Sequence, residues 1–207
     1  MKKKILIGVP IKDFLNPMSR LKDTLNLQER IQLQKALIKN ITSSFKNENR
    51  DIFLISNDND IETFTDELKV NFFKTSQKDL NSEVIEFSNL FSDYKAWTIC
   101  HADLPYINKF IANMFCIEIL ENQIVISNSK DNGTPIIGGS VSFNNFKFGK
   151  NSFLQHKEIF IQNNIQYAQL FSKELSFEID NPSDYGEFLN LKPRWSKKLM
   201  FSSPDRI

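Results

Sequence analysis

The chain is poor in the residues from which covalent catalysis is usually built. Of 207 residues only two are Cys and two are His. Cys100 and Cys116 form no C-x-x-C pair, and the one histidine near them in sequence is His101, which argues against a zinc site and against a disulfide scaffold. His101 and His156 stand apart in sequence from any obvious hydroxyl or thiol partner. That leaves little room for a Ser-His-Asp or Cys-His nucleophile, and both histidines are read as structural. There is no G-x-G-x-x-G and no Walker A sequence, so neither a Rossmann dinucleotide site nor a P-loop is supported. Charge of one sign is missing too. With 26 Lys plus Arg against 25 Asp plus Glu the net charge is +1, which provides no global field to hold nucleic acid. No window reaches the roughly 18 apolar residues of a membrane span. Met1-Lys2-Lys3-Lys4 resembles the start of a signal peptide, but Gly8 and Pro10 break the apolar run that follows, so a first strand is expected there. A cytoplasmic monomer or homodimer with neither nucleic-acid nor membrane partners is the expectation.

Short apolar runs suited to buried strands occur at Ile5 to Ile11, Ile52 to Ser56, Val70 to Lys74, Ala96 to Cys100 and Ile124 to Ser127. Helical patterns separate most of them. The clearest covers Leu27 to Phe45, and others fall near Ile61 to Lys69, Asn81 to Phe91, Asn108 to Leu120, Asn151 to Asn163 and Ser183 to Leu191. Strand alternating with helix predicts an α/β fold with helices on both faces of a mostly parallel sheet. After Ser127 the pattern changes: Ile136-Ile137, Val141 to Phe143 and Phe146 to Phe148 read as strand pieces, and an antiparallel element covering one end of the sheet is expected. Nothing splits the chain, so residues 1–191 are read as one domain and 192–207 as a tail packed through Trp195.

Ligands of a doubly wound sheet bind beyond the carboxyl ends of its strands, which singles out four places. Lys12 and Arg20 follow the first strand and suit a polyphosphate; two solvated cations are the plain alternative. Asp103 ends the Ala96 to Cys100 run just before Pro105 and suits a hard cation, or else caps the next helix. Glu178 and Asp180 point to one side of an extended segment, as two metal-binding carboxylates would, unless Asp180 or Ser183 is a helix cap. Gly149 and Ser152 fit a helix N-terminus that favours an anion, though a cap at Asn151 or Ser152 explains the sequence as well. Cations near one strand end and carboxylates near two others suit phosphoryl or nucleotidyl transfer, where catalysis is mainly positioning and charge neutralisation.

In order along the chain, Val9-Pro10-Ile11-Lys12 with Ser19-Arg20-Leu21, Leu80-Asn81, Ala102-Asp103-Leu104-Pro105, Gly133-Thr134, Phe148-Gly149 with Ser152-Phe153 and His156, and Glu178-Ile179-Asp180 with Pro182 make a set. By that set the chain resembles the guanylyltransferases of coenzyme F420 biosynthesis, which use GTP to activate 2-phospho-L-lactate, phosphoenolpyruvate or 3-phosphoglycerate. The resemblance implies a three-layer α/β/α sheet of the nucleotide-diphospho-sugar transferase kind. It implies Mg²⁺ held by Asp103, Glu178 and Asp180, and GTP bound along Pro10, Lys12, Ser19 and Arg20 and near Asn81. It also places the phosphorylated three-carbon acid at Thr134, Gly149 and Ser152, with Asp103, Lys12 and Arg20 as catalytic groups. Three departures stand out: Met18 where the family usually has Lys, Glu178-x-Asp180 for Asp-x-Asp, and His101-Ala102 before Asp103 in place of a small or proline pair. A nucleotidyltransferase for a sugar phosphate or a molybdopterin-type acceptor, and a non-catalytic nucleotide-binding module, are the rival readings.

Overall fold

The computed structural model describes residues 4–199, so Met1 to Lys3 and Pro204 of the tail lie outside the described residues. Seven strands form one sheet: β1 (Ile5–Pro10), β2 (Arg50–Ser56), β3 (Asn71–Lys74), β4 (Ala96–Cys100), β5 (Ile124–Ile126), β6 (Ile136–Gly139) and β7 (Tyr167–Gln169). Their order is β3-β2-β1-β4-β6-β5-β7. All pairings are parallel except those of β6, which runs against both β4 and β5. The antiparallel element therefore lies inside the sheet and does not cover its end. It fits there because two of its four residues are glycines: a Cβ on Gly138 would come within 2.6 Å of the Trp97 carbonyl oxygen.

The helices are α1 (Leu27–Phe45), α2 (Asn59–Leu68), α3 (Leu80–Phe87), α4 (Lys109–Glu121), α5 (Ser152–Gln162), the single turn α6 (Lys173–Ser176) and α7 (Pro182–Asn190). Residues of β1 alternate between the two faces. Ile5, Ile7 and Val9 pack with Ile38, Ile41 and Phe45 of α1, Phe64 of α2 and Phe115 of α4. Leu6 on the opposite face belongs with Val84 and Phe87 of α3 and Phe153 and Phe160 of α5. The sheet is thus covered on both sides, the three-layer arrangement expected of continuous apolar strands. A third cluster joins Leu33 and Leu37 of α1 to Phe177, Ile179 and Phe188 at the chain's far end.

The pieces Val141 to Phe143 and Phe146 to Phe148 are not strands. Phe143, Phe146 and Phe148 are buried in an aromatic cluster around Trp97, whose Nε1 donates to the Val141 carbonyl at 2.7 Å. Ring packing, not a ladder, accounts for their apolar spacing. Trp195 of the tail donates its Nε1 to the Pro105 carbonyl at 2.9 Å, next to the turn that follows Asp103.

Candidate active site

The segment after β1 is built as a rigid loop. Ile11 N donates to the Ile55 carbonyl at 2.9 Å, which ties the loop's start to β2. Arg30 of α1, 8% exposed, reaches back with Nη1 to the Asn16 side chain at 2.8 Å and the Pro17 carbonyl at 2.7 Å. Helix α1 is fixed in turn by a capping box between Asn26 and Glu29. Met18 takes the left-handed conformation at φ 45° and leans on the third core cluster. The departure at this position therefore replaces an expected cation with packing. Past Met18 the chain presents Ser19 and Arg20 at the surface.

Both carboxylates suspected of capping helices are relieved of that role by a neighbouring asparagine. Asn108 caps α4, accepting from the amides of Phe110 and Ile111. Asn181 caps α7 in a capping box with Asp184. Asp103 and Asp180 are left for other work. Phe177 and Ile179 are buried while Glu178 and Asp180 are not, so the two acids share one side of the segment as their spacing predicts. Ile179 N donates to the Asp103 carbonyl oxygen at 3.1 Å, and this backbone bond brings the two distant segments together.

Asp103, Glu178 and His101 form one cluster, with a ligand atom from each within 4.8 Å of the others. His101 Nδ1 lies 3.0 Å from Glu178 Oε1. An ionised carboxylate only accepts, so the proton is on Nδ1. Asp103 Oδ1 and His101 Nε2 are both enclosed and have no hydrogen-bond partner among the described residues. Burial, reinforced by the charge of Glu178, pushes the Asp103 carboxyl up to about 8. Burial opposes a charge on His101, but its hydrogen bond to Glu178 and the nearby acids hold its pKa above the ordinary value. Asp180 stands outside this cluster. Its Oδ2 is paired with Arg20 Nη1 at 2.7 Å.

Pro10, Lys12, Ser19, Arg20, Asp103 and Asp180 line one cleft of about 490 Å³ at the carboxyl ends of β1 and β4. Asp180 also lines, now together with Glu178, a second cleft of about 680 Å³. Asn81 is engaged elsewhere: its side chain exchanges two hydrogen bonds with the Phe148 backbone, at 2.6 and 3.1 Å. It thereby holds the loop leading to Gly149, whose φ of 126° only glycine adopts readily. Thr134 and Ser152 are buried and joined, Ser152 Oγ donating to Thr134 Oγ1 at 3.1 Å. Helix α5 begins after Asn151 with no side-chain cap bond, so a plain cap is not what this sequence builds.

His156 is buried beside Thr134. Its Nε2 accepts from Lys147 N at 2.9 Å, which places the ring proton on Nδ1, 3.0 Å from Thr134 Oγ1. His156 is structural, as its sequence setting suggests. His101 is different, because the fold carries it into the carboxylate cluster from a position with no charged neighbour in sequence except Asp103.

Residues 3–194 match the family model described as guanylyl transferase CofC like. A 2-phospho-L-lactate guanylyltransferase of Methanosphaera stadtmanae is 31% identical over 194 residues, covering 90% of this chain and 84% of that protein. A phosphoenolpyruvate guanylyltransferase of Thermobaculum terrenum is 25% identical over 189 residues, covering 87% and 80% respectively. Among solved structures, a protein from Desulfovibrio desulfuricans G20 provisionally described as a nucleotide-diphospho-sugar transferase superposes with a TM-score of 0.77 at 17% identity, over 96% of this chain and 89% of that one. The fold is that of the nucleotidyltransferases, and the chain is an enzyme that belongs to the CofC-like guanylyl transferase family.

Proposed function

We propose that this enzyme joins GMP from GTP to the phosphate of a three-carbon acid, 2-phospho-L-lactate, phosphoenolpyruvate or 3-phosphoglycerate, releasing pyrophosphate, as a step of coenzyme F420 biosynthesis. The observation that carries the reading is the meeting of Asp103 and Glu178 with His101 beside a cleft that also holds Lys12 and Arg20. Relatives named for 2-phospho-L-lactate and phosphoenolpyruvate support the acceptor class.

A phosphate monoester is largely dianionic at pH 7, so its oxygen attacks without a protein base, and a scarcity of histidine is no handicap. A P–O bond forms at the α-phosphorus while the bond to the β-phosphate breaks, and pyrophosphate leaves with that electron pair. The difficulty is bringing two anions together. Lys12 and Arg20 offset charge on the triphosphate. The donor set of Asp103 and Glu178 fits a divalent cation: hard oxygens, one of them enclosed without a hydrogen-bond partner among the described residues. Mg²⁺ bound there, with Asp180 as a further oxygen donor once freed from Arg20, would neutralise charge shared between the phosphates. Thr134, Gly149 and Ser152 would hold the acceptor's phosphate and carboxylate.

Incubation with GTP, Mg²⁺ and each of the three acids, with pyrophosphate measured and the product weighed by mass spectrometry, tests this. A product equal to GMP plus one of the acids is expected. Pyrophosphate release with none of them, or only with a sugar phosphate, would overturn it.

A further inference from the structure

Helix α3 returns across β1 and β2, so its first turn lies at the same end of the sheet as Pro10. Phe87 near its end sits against Gly8, where an added Cβ would come within 2.5 Å of the ring. One turn earlier on that inward face is Glu83. It is 7% exposed and forms part of the wall of the first cleft with Pro10, Ile11, Lys78 and Leu80.

The other acids around this helix have structural work. Asp79 caps it, accepting from Ser82 N. Glu86 accepts from Thr75 Oγ1 at 2.6 Å and Ser76 N at 3.1 Å. The Glu83 carboxyl has no hydrogen bond or ion pair among the described residues, and burial, with the charges of Asp79 and Glu86 adding, pushes it up to about 7. Folding gains nothing from a carboxylate kept this way. Two acceptor oxygens held side by side on a helix complement two adjacent N–H donors on a planar ring. Guanine offers that pair, N1–H and the exocyclic amino group. Adenine offers a lone pair beside its amino group, which a carboxylate repels. The triphosphate is drawn to Lys12 and Arg20 on the loop after β1.

We propose that Glu83 is the base-specificity residue of the cleft, its carboxylate accepting from guanine N1–H and the 2-amino group. The proposal rests on the nucleotide reading given above. Binding tests it without turnover: GTP, ITP and ATP are competed against a ribose-labelled fluorescent GTP analogue in Mg²⁺ buffer without acceptor. In the wild type ITP, which lacks the amino group, binds about tenfold more weakly than GTP, and ATP about a hundredfold. Glu83→Ala weakens GTP by about tenfold or more, brings the GTP-to-ITP ratio near one and leaves ATP unchanged. Circular dichroism and melting confirm that the variant is folded. Unchanged ratios in E83A, or equal loss for all three nucleotides in a folded variant, would overturn the assignment of Glu83 alone. A wild-type protein that binds none of the three would overturn the nucleotide reading and this proposal with it.

Discussion

His101 Nδ1 stands 3.0 Å from Glu178 Oε1 across 77 residues of sequence, and the fold sets the pair beside Asp103. The longer Glu178 arm has more rotamer freedom than an aspartate, and the imidazole N–H restricts it. A hydrogen bond that orients a ligating carboxylate is typically worth tenfold to a hundredfold in metal affinity. His101→Ala should therefore weaken Mn²⁺ binding about tenfold, read by electron paramagnetic resonance on the nucleotide-free protein. Wild-type affinity in H101A would mean that the contact orients nothing.

Asp103 provides the enclosed oxygen without a partner among the described residues, and its carboxyl is raised to about 8 by burial and by Glu178. Asp103→Asn keeps the side chain's shape and takes away an ionisation that burial and Glu178 oppose. Stability should hold or rise, while guanylyl transfer falls by about a hundredfold or more. Urea unfolding and pyrophosphate release, run on the same preparation, check both halves. Near-normal turnover in Mg²⁺ would remove Asp103 from the metal set.

Arg20 and Asp180 make a 2.7 Å ion pair whose side chains are 70% and 38% exposed. Such a pair contributes about 0–1 kcal/mol, so Arg20→Ala should move the melting temperature by no more than about 4 °C. A charged hydrogen bond to a triphosphate is worth more, about 1.5–3 kcal/mol. The same variant should lower kcat/KM for GTP about tenfold to a hundredfold, with Arg20→Lys in between. A large fall in melting temperature with kcat/KM intact would reverse the assignment, making the pair structural.

Much of this architecture is legible in the residues themselves. Leu27–Phe45 and Ala96–Cys100 fold with the bounds their patterns predict, because the first has an amphipathic stripe behind a capping box and the second a run buried on both faces. Strand β7 is three residues long and leaves no periodic signal; Ile136-Ile137 reads as a strand piece and opens β6, but its place between β4 and β5 is not written in the local pattern. Asp103 was visible as a strand-end carboxylate, and Glu178 and Asp180 as two acids on one side of an extended segment. His101 was not, since its role depends on Glu178, which only the backbone bond from Ile179 to Asp103 brings near. Glu83 looked like any charge on a helix; its burial comes from the way α3 crosses β1.

His156 permits a test of the acceptor-side scaffold that needs no substrate. Burial lowers its pKa from 6.5 to about 4, and the charges of His101 and Lys147 act in the same direction. Between those values the unfolded chain takes up a proton that the folded chain refuses, so stability falls as pH drops from 6.5 towards 4. The loss traceable to this one group is on the order of 3 kcal/mol. Other titrating groups act in both proteins, so the difference between wild type and His156→Gln isolates it. Urea unfolding at pH 7, 5.5 and 4.5 should show the wild type well ahead at pH 7, because Gln cannot satisfy both Lys147 N and Thr134 Oγ1 in the same geometry. That advantage should shrink steadily towards pH 4.5. Parallel curves would mean that the ring is already charged in the fold, which would leave Lys147 N facing a second donor at 2.9 Å and contradict the hydrogen bonding around Thr134.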